Sequence, residues 1–269
     1  MIMDTHKWEE NGDMSLLIDY EKSLFLKSEG IIAISDSIKD TIEQLYDIKF
    51  TQPLVKNYLG INLETTATSS REPNDNRVIV FFIGRLERRK GIDSIIKAIP
   101  YIMERYPQVE FRLAGDCEIF DEAIGDTFKN KFLKENKGKK WLGKVTFMGK
   151  IDEAAKEQEF ANCDIFIAPS LYESFGIIFI EAMRYAKPVI GCNAGAMPEI
   201  IENSVTGLLC EPGNGEDFTK ALETLVKDKN LRDKMGASGV KKLTKHFTNE
   251  IMCEGSLSFY KELIAQKKM

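Results

Sequence analysis

Residues 173–181, ESFGIIFIE, set a carboxylate on either side of a glycine-opened helix start. Upstream, DIFIAPS (164–170) is a short apolar, β-compatible run. Downstream, IIFIEAMRYA keeps apolar residues at helical spacing until Lys187 meets Pro188. The pattern reads strand, loop, helix, with Glu173 in the loop and Glu181 one turn inside the helix. In a parallel α/β sheet, ligands bind beyond the carboxyl ends of the strands, where a helix amino terminus offers unpaired NH groups to an anion. Gly176 would let a phosphate approach the backbone. Glu181 would repel a phosphate but is suited to accept hydrogen bonds from two vicinal hydroxyls. Phosphate beside a diol describes a nucleotide or a sugar nucleotide. The plainer alternative is that two such glutamates are commonplace and Glu181 faces solvent on an amphipathic helix.

A second segment, VIVFFIGRLERRKGID (78–93), repeats the design: an apolar run, a loop opened by Gly84, and a helix from about Ile92 carrying Ile95, Ile96 and Ile99. Arg85 and Lys90 therefore project from the carboxyl end of a strand. A planar arginine fork and a lysine point charge together suit a diphosphate, whose charge is spread over two centres. Arg88 and Arg89 read as a solvated pair, and a basic loop taken alone is as readily surface as site.

The two segments together resemble the retaining glycosyltransferases of family 4, which have the GT-B fold. The matching residues are GRLERRKG (84–91), LAGD (113–116), VTFMGKI (145–151), APSLYESFGIIFIEAM (168–183), KPVIGCNAGAMPEII (187–201) and TGLLCEPGN (206–214), followed by a lysine-rich helix and HFTNEIMCEGSLSFYKEL. They run in family order from about Ser28 to the carboxyl terminus and are specific as a set. The resemblance implies that Arg85 and Lys90 hold the donor diphosphate and Glu181 the ribose hydroxyls. It further implies that Glu173 touches the transferred sugar, beside Ser174 and the backbone NH groups of Phe175, Gly176 and Ile177. Gly84 opens the phosphate loop, and Met148, Gly149 and Lys150 border the base. Family members transfer the sugar with retention and without a protein nucleophile, a phosphate oxygen of the departing diphosphate helping to deprotonate the acceptor. Glu173, Arg85 and Lys90 are then the catalytic candidates, with His6 standing loosely where the family has a histidine near the reacting sugar. No metal or cofactor is expected. The implied partners are a nucleotide-sugar donor and a carbohydrate or lipid-linked acceptor. One departure from the family is Ala196 in NAGAMPE, where paired glycines are usual; an alanine needing positive φ would be strained. Glu199 in the same loop could approach the donor or cap the IIEN segment that follows.

At 269 residues the chain is too short for two complete Rossmann-like domains. Residues 1–62 show one clear strand, GIIAIS (30–35), between two helical patterns, and read as the remnant of an amino-terminal, acceptor-side domain. Residues 63–76, including TTATSSREPNDN, read as a polar linker. Residues 77–245 read as a whole donor-binding domain, and 246–269 as a helix packing back toward the amino-terminal part. The expected fold is α/β of GT-B type: one complete Rossmann-like parallel sheet plus part of a second. A remnant with one strand needs cover, so a partner chain or a dimer is a candidate occupant of its open side.

The remaining features exclude classes. Hydrophobic residues make up 43% and charged residues 29%, and no apolar stretch approaches the roughly 18 residues of a membrane span. MIMDTHKWEE has no signal-peptide core, so a cytoplasmic protein is expected. Five scattered cysteines lack zinc or redox spacing and read as reduced thiols. A net charge of -5 argues against general nucleic-acid binding. FKNKFLKENKGKKWLGK (128–144) has seven lysines against Glu135. It suits either peripheral contact with the inner face of an anionic membrane or, more plainly, an amphipathic helix and solvated loop with Trp141 in the core. Neither G-x-G-x-x-G nor G-x-x-x-x-G-K-[ST] occurs, nor does Asp-x-Asp, which disfavours dehydrogenases, P-loop enzymes and metal-dependent GT-A transferases. A sugar-nucleotide epimerase, a non-catalytic nucleotide-sugar-binding module, or half of a split enzyme remain as alternatives.

Overall fold

The computed structural model describes residues 14–72 and 75–267. The first described segment contains helix α1 (Met14–Lys27), strand β1 (Ile31–Ala33), helix α2 (Asp36–Tyr46) and strand β2 (Leu54–Lys56). The sequence reading gives this segment only one strand, and β2 corrects it. LVK carries exposed or half-buried side chains, so no apolar run marks it. It is a strand because its backbone pairs in parallel with β1, with Ile31 NH on Pro53 O at 2.9 Å and Asn57 NH on Ala33 O at 2.9 Å. The residues that join this segment to the rest are held in place. Thr66 donates to Glu157, the Ser70 NH to Asn162 Oδ1 at 2.9 Å, and Arg71 pairs with Asp75 at 2.9 Å and Asp164 at 2.5 Å.

Next comes β3 (Val78–Ile83), whose residues are buried except Ile83, as expected of a central strand in a parallel sheet covered on both faces. The chain continues through α3 (Ile92–Arg105), β4 (Val109–Ala114), the short antiparallel pair β5 (Phe120–Asp121) and β6 (Asp126–Thr127), α4 (Phe128–Glu135) and β7 (Val145–Gly149). It then forms α5 (Glu153–Asn162), β8 (Ile165–Ile167), α6 (Ile177–Arg184), β9 (Val189–Cys192), α7 (Met197–Ile200) and β10 (Gly207–Cys210). Helices α8 (Gly215–Lys227), α9 (Lys229–His246) and α10 (Asn249–Lys267) complete it.

Six strands form one sheet in the order β10-β9-β8-β3-β4-β7, every neighbouring pair parallel. The chain winds outward from β3 through β4 to β7, then returns to the other side of β3 and winds outward again through β8, β9 and β10. The order reverses between β3 and β8, the place where a doubly wound sheet leaves a crevice at its carboxyl edge. Helix α3 packs on α8, and α6 on α9. The latter crossing is close: a Cβ at Gly236 would lie 1.9 Å from the Ala186 carbonyl oxygen.

Helix α10 leaves this domain and lies against the first segment. Asn57 donates to Met252 O and Ser256 Oγ, both at 2.8 Å, and a Cβ at Gly30 would meet Phe259 and Leu263 at 2.8 Å. In the lysine-rich stretch, Trp141 is buried against Phe132, while Lys129, Lys131 and Lys139 pair with Glu118, Glu135 and Glu104. No helix among the described residues is long and apolar enough to cross a membrane.

Candidate functional site

The loops that follow β3 and β8 meet at the crevice. Gly91, at φ +72°, closes a 3-10 turn over Arg88–Lys90, and a Cβ there would lie 1.9 Å from the Pro169 carbonyl oxygen. Only glycine allows the two backbones this approach. The Leu171 NH bonds to Arg89 O at 2.9 Å, joining the loops a second time. So positioned, Lys90 Nζ reaches Glu173 Oε1 at 2.6 Å, both side chains being largely buried. The basic and acidic segments singled out in the sequence thus converge on one point. Arg85 is more exposed and pairs with Glu87 at 3.1 Å.

Beyond Glu173, Ser174 and the buried Phe175 lead into Gly176, which stands at φ +91° as the first residue of the helix boundary of α6. No side chain caps this end; the Phe179 NH bonds back to Gly176 O at 3.0 Å, and the Ile177 NH at the very start has no side-chain acceptor. Glu181 lies farther along α6 and pairs with Lys156 of α5 at 2.8 Å. Burial pulls the Lys156 ammonium down, but its bonds to Glu153 and Glu181 outweigh this and its pKa is raised.

The carboxyl ends of β4 and β7 adjoin the same edge. The Gly115 NH donates to Gly149 O at 2.8 Å, and a Cβ at Gly115 would lie 1.8 Å from Gly84 O. Gly84, Gly149, Met148 and Lys150 therefore lie along one rim. Lys150 pairs with Asp116 at 2.9 Å and, with the Glu118 NH, holds that carboxyl below its usual range.

A cavity of about 300 Å³ opens beneath the Lys90–Glu173 pair, lined also by Phe82, Ser170 and Gly176, with Ile34 and Leu59 contributed by the first segment. That segment is latched to the site. Ser35 Oγ, itself the cap of α2, donates to Ser174 O at 2.9 Å, and Tyr58 packs against Phe175 and Phe247.

Two details differ from the sequence reading. Ala196 is at φ -83°, and Gly195 alone takes the left-handed conformation at φ +56°, so the NAGAMPE loop carries no alanine strain. The Ala196 NH instead bonds to Glu173 O at 2.8 Å, fixing the backbone of the loop glutamate. Glu199 neither approaches the cavity nor caps its own segment. Its carboxylate accepts from the Asp36 and Ser37 NH groups at 3.1 and 3.0 Å and from Tyr58 at 3.1 Å, capping α2 across the crevice. His6 lies outside the described residues. Among those described, no group of three or more His, Cys, Asp or Glu side chains is placed to hold a metal ion. Lys156, Ser170 and Ser35 were not singled out in the sequence: Lys156 and Ser35 act through partners on other elements, Glu181 and Ser174, and Ser170, though inside the APSLYESFG run, is marked only by its burial.

Comparison with known proteins agrees with this architecture. The pattern of the family described as Glycosyl transferases group 1 matches residues 65–242. The glycogen synthase of Mycobacterium tuberculosis is 24% identical over 241 residues, which is 89% of this chain and 56% of that protein. The chain spans about half the length of the curated relatives it matches. The sucrose-phosphate synthase of Thermosynechococcus elongatus superposes with a TM-score of 0.76 at 22% identity, covering 97% of this chain and 65% of that one. Anabaena HepE, solved in complex with UDP and glucose, gives a TM-score of 0.75 at 21% identity over 96% of this chain and 69% of its own. The parallel six-stranded sheet matches GT-B glycosyltransferase structures, and the chain belongs to the glycosyl transferases group 1 family.

Proposed function

We propose that this chain carries the donor-binding half of a retaining glycosyltransferase, which moves a sugar from a nucleoside diphosphate to a hydroxyl acceptor. The observation that carries the reading is the meeting of Lys90 and Glu173 at 2.6 Å beside the uncapped start of α6, at the switch point of the sheet. A diphosphate placed there would be held by Lys90, Arg85 and the NH groups of the first turn of α6, which also stabilise charge on the leaving group. Glu181 would take the ribose hydroxyls, its carboxylate held in place by Lys156, and the rim at Met148–Gly149–Lys150 would border the base. Glu173 would face the transferred sugar.

In the reaction the bond from the anomeric carbon to the diphosphate breaks and a bond to the acceptor oxygen forms on the same face. The acceptor proton passes to an oxygen of the departing diphosphate, so no protein nucleophile is required. The protein's contribution is positioning and charge stabilisation. No metal or other cofactor is invoked, since two basic side chains and a helix amino terminus supply the countercharge. The structures of HepE with UDP and with UDP-glucose support a nucleotide-sugar donor of this kind.

Calorimetric titration of the chain with UDP, GDP and ADP, with and without a chelator, tests the reading. One of them is expected to bind in the presence of the chelator. Lys90→Ala or Arg85→Ala is expected to weaken it about tenfold to a hundredfold, as loss of a charge-assisted hydrogen bond of about 1.5–3 kcal/mol implies. Equal affinity in all three proteins would remove the site assignment.

A further inference from the structure

One wall of the cavity holds a polar group that the fold itself does not use. Ser170 is 1% exposed, and its hydroxyl has no hydrogen-bond partner among the described residues. Other buried hydroxyls among the described residues have partners: Ser35 donates to Ser174 O, Thr127 accepts from the Asn130 NH, Thr206 from the Glu202 NH and Thr248 from the Ile251 NH. An unpaired buried hydroxyl is uncommon enough in folded proteins to call for a cause. Its backbone is fixed on both sides, by the contact of Pro169 with Gly91 and by the bond from Leu171 to Arg89, so its Cβ holds a set place in the cavity wall. Ser170 lines the same cavity as Lys90, Glu173 and Gly176, whose remaining walls include the apolar Phe82, Ile83 and Leu59.

Resting on the donor-binding reading above, we infer that the Ser170 hydroxyl binds a hydroxyl group of the transferred sugar and so helps determine which sugar the site accepts. The argument for sugar rather than phosphate is one of charge and place. The basic groups that suit a diphosphate are Lys90, Arg85 and the α6 amino terminus, whereas Ser170 is neutral and set into the wall among apolar side chains. A neutral hydroxyl can both donate to and accept from a sugar hydroxyl. Placed in an apolar wall, it also discriminates: a sugar presenting no polar group at that point would leave Ser170 buried and unpaired, and a site built to bond a substrate hydroxyl rejects an analogue lacking it.

The test compares Ser170→Ala with the unaltered chain in calorimetric titrations against UDP, GDP and ADP and against UDP-glucose, GDP-mannose and ADP-glucose, with thermal melting in parallel. The expected result is that Ser170→Ala binds the nucleoside diphosphate as before but binds the matching nucleotide sugar about tenfold more weakly, the loss of one neutral hydrogen bond. Its melting midpoint should be unchanged or higher, because no bond within the protein is lost. Equal weakening toward diphosphate and nucleotide sugar, no weakening of either, or a lowered melting midpoint would each overturn the inference and leave the donor-binding reading standing. Absence of binding by the unaltered chain would overturn both.

Discussion

Among single residues, the two glutamates of ESFGIIFIE are separated by their partners. Glu173 is paired with the cation assigned to the diphosphate, and Glu181 with a lysine of a neighbouring helix. Removing Glu181 should therefore weaken nucleoside diphosphate and nucleotide sugar together. Removing Glu173 releases Lys90 from its ion pair, so Glu173→Ala should leave diphosphate affinity unchanged or tighter while weakening the nucleotide sugar. Parallel losses of diphosphate binding in both variants, measured by calorimetry, would contradict this division. As candidates, both glutamates, with Arg85 and Lys90, were legible in the sequence because each sits at a fixed offset from a glycine and an apolar run. Ser170 and Lys156 were not, since what distinguishes them is a missing bond in one case and a partner on another helix in the other.

At the scale of elements, strands and helices with an apolar face announced themselves, and those held by backbone bonds or remote caps did not. β3 and α3 are written in their apolar spacing, but β2 exists through its pairing with β1, and α2 is capped by a glutamate far along the chain. Glu199→Ala should accordingly speed hydrogen exchange in the first turn of α2 and destabilise the chain by about 1 kcal/mol, the usual cost of a lost cap. Unaltered exchange there would show that Ser35 caps the helix unaided. The α6–α9 crossing makes a stronger demand. Gly236→Ala drives a methyl into a backbone carbonyl and should cost about 1–3 kcal/mol, read as a lowered melting temperature. The linker adds a pH dependence. Arg77 above all, then Arg71, hold the Asp75 carboxyl well below the ordinary carboxylate range. A carboxyl lowered in the folded state stabilises fully above its unfolded value of about 3.9 and loses that contribution as pH falls below it. Melting temperature should thus decline below about pH 4, and Asp75→Asn should flatten the decline.

For the whole molecule, the two parts differ in how completely they are enclosed. β3 has a paired strand on each side, whereas β1 pairs only with β2 among the described residues, and α1 exposes Leu16, Tyr20 and Leu24. Amides of β1 should exchange with solvent faster than those of β3, and equally slow exchange in a monomer would show the first segment to be self-sufficient. The GT-B architecture was legible because its motifs recur in order, and α10 was expected to return to the first segment, where Asn57 bonds to it; the second link, Glu199 to the start of α2, has no local signal because its partners are 163 and 162 positions away. The doubly wound order bears on synthesis as well. Lys90 and Glu173 are separated by 83 positions, and β8 can join β3 only after β4 and β7 have been made. A polypeptide emerging from the ribosome therefore exposes its basic loop before the acidic counterpart exists. The crevice closes late, when β8 settles beside β3, so a ligand held between the two loops can stabilise nothing that precedes β8.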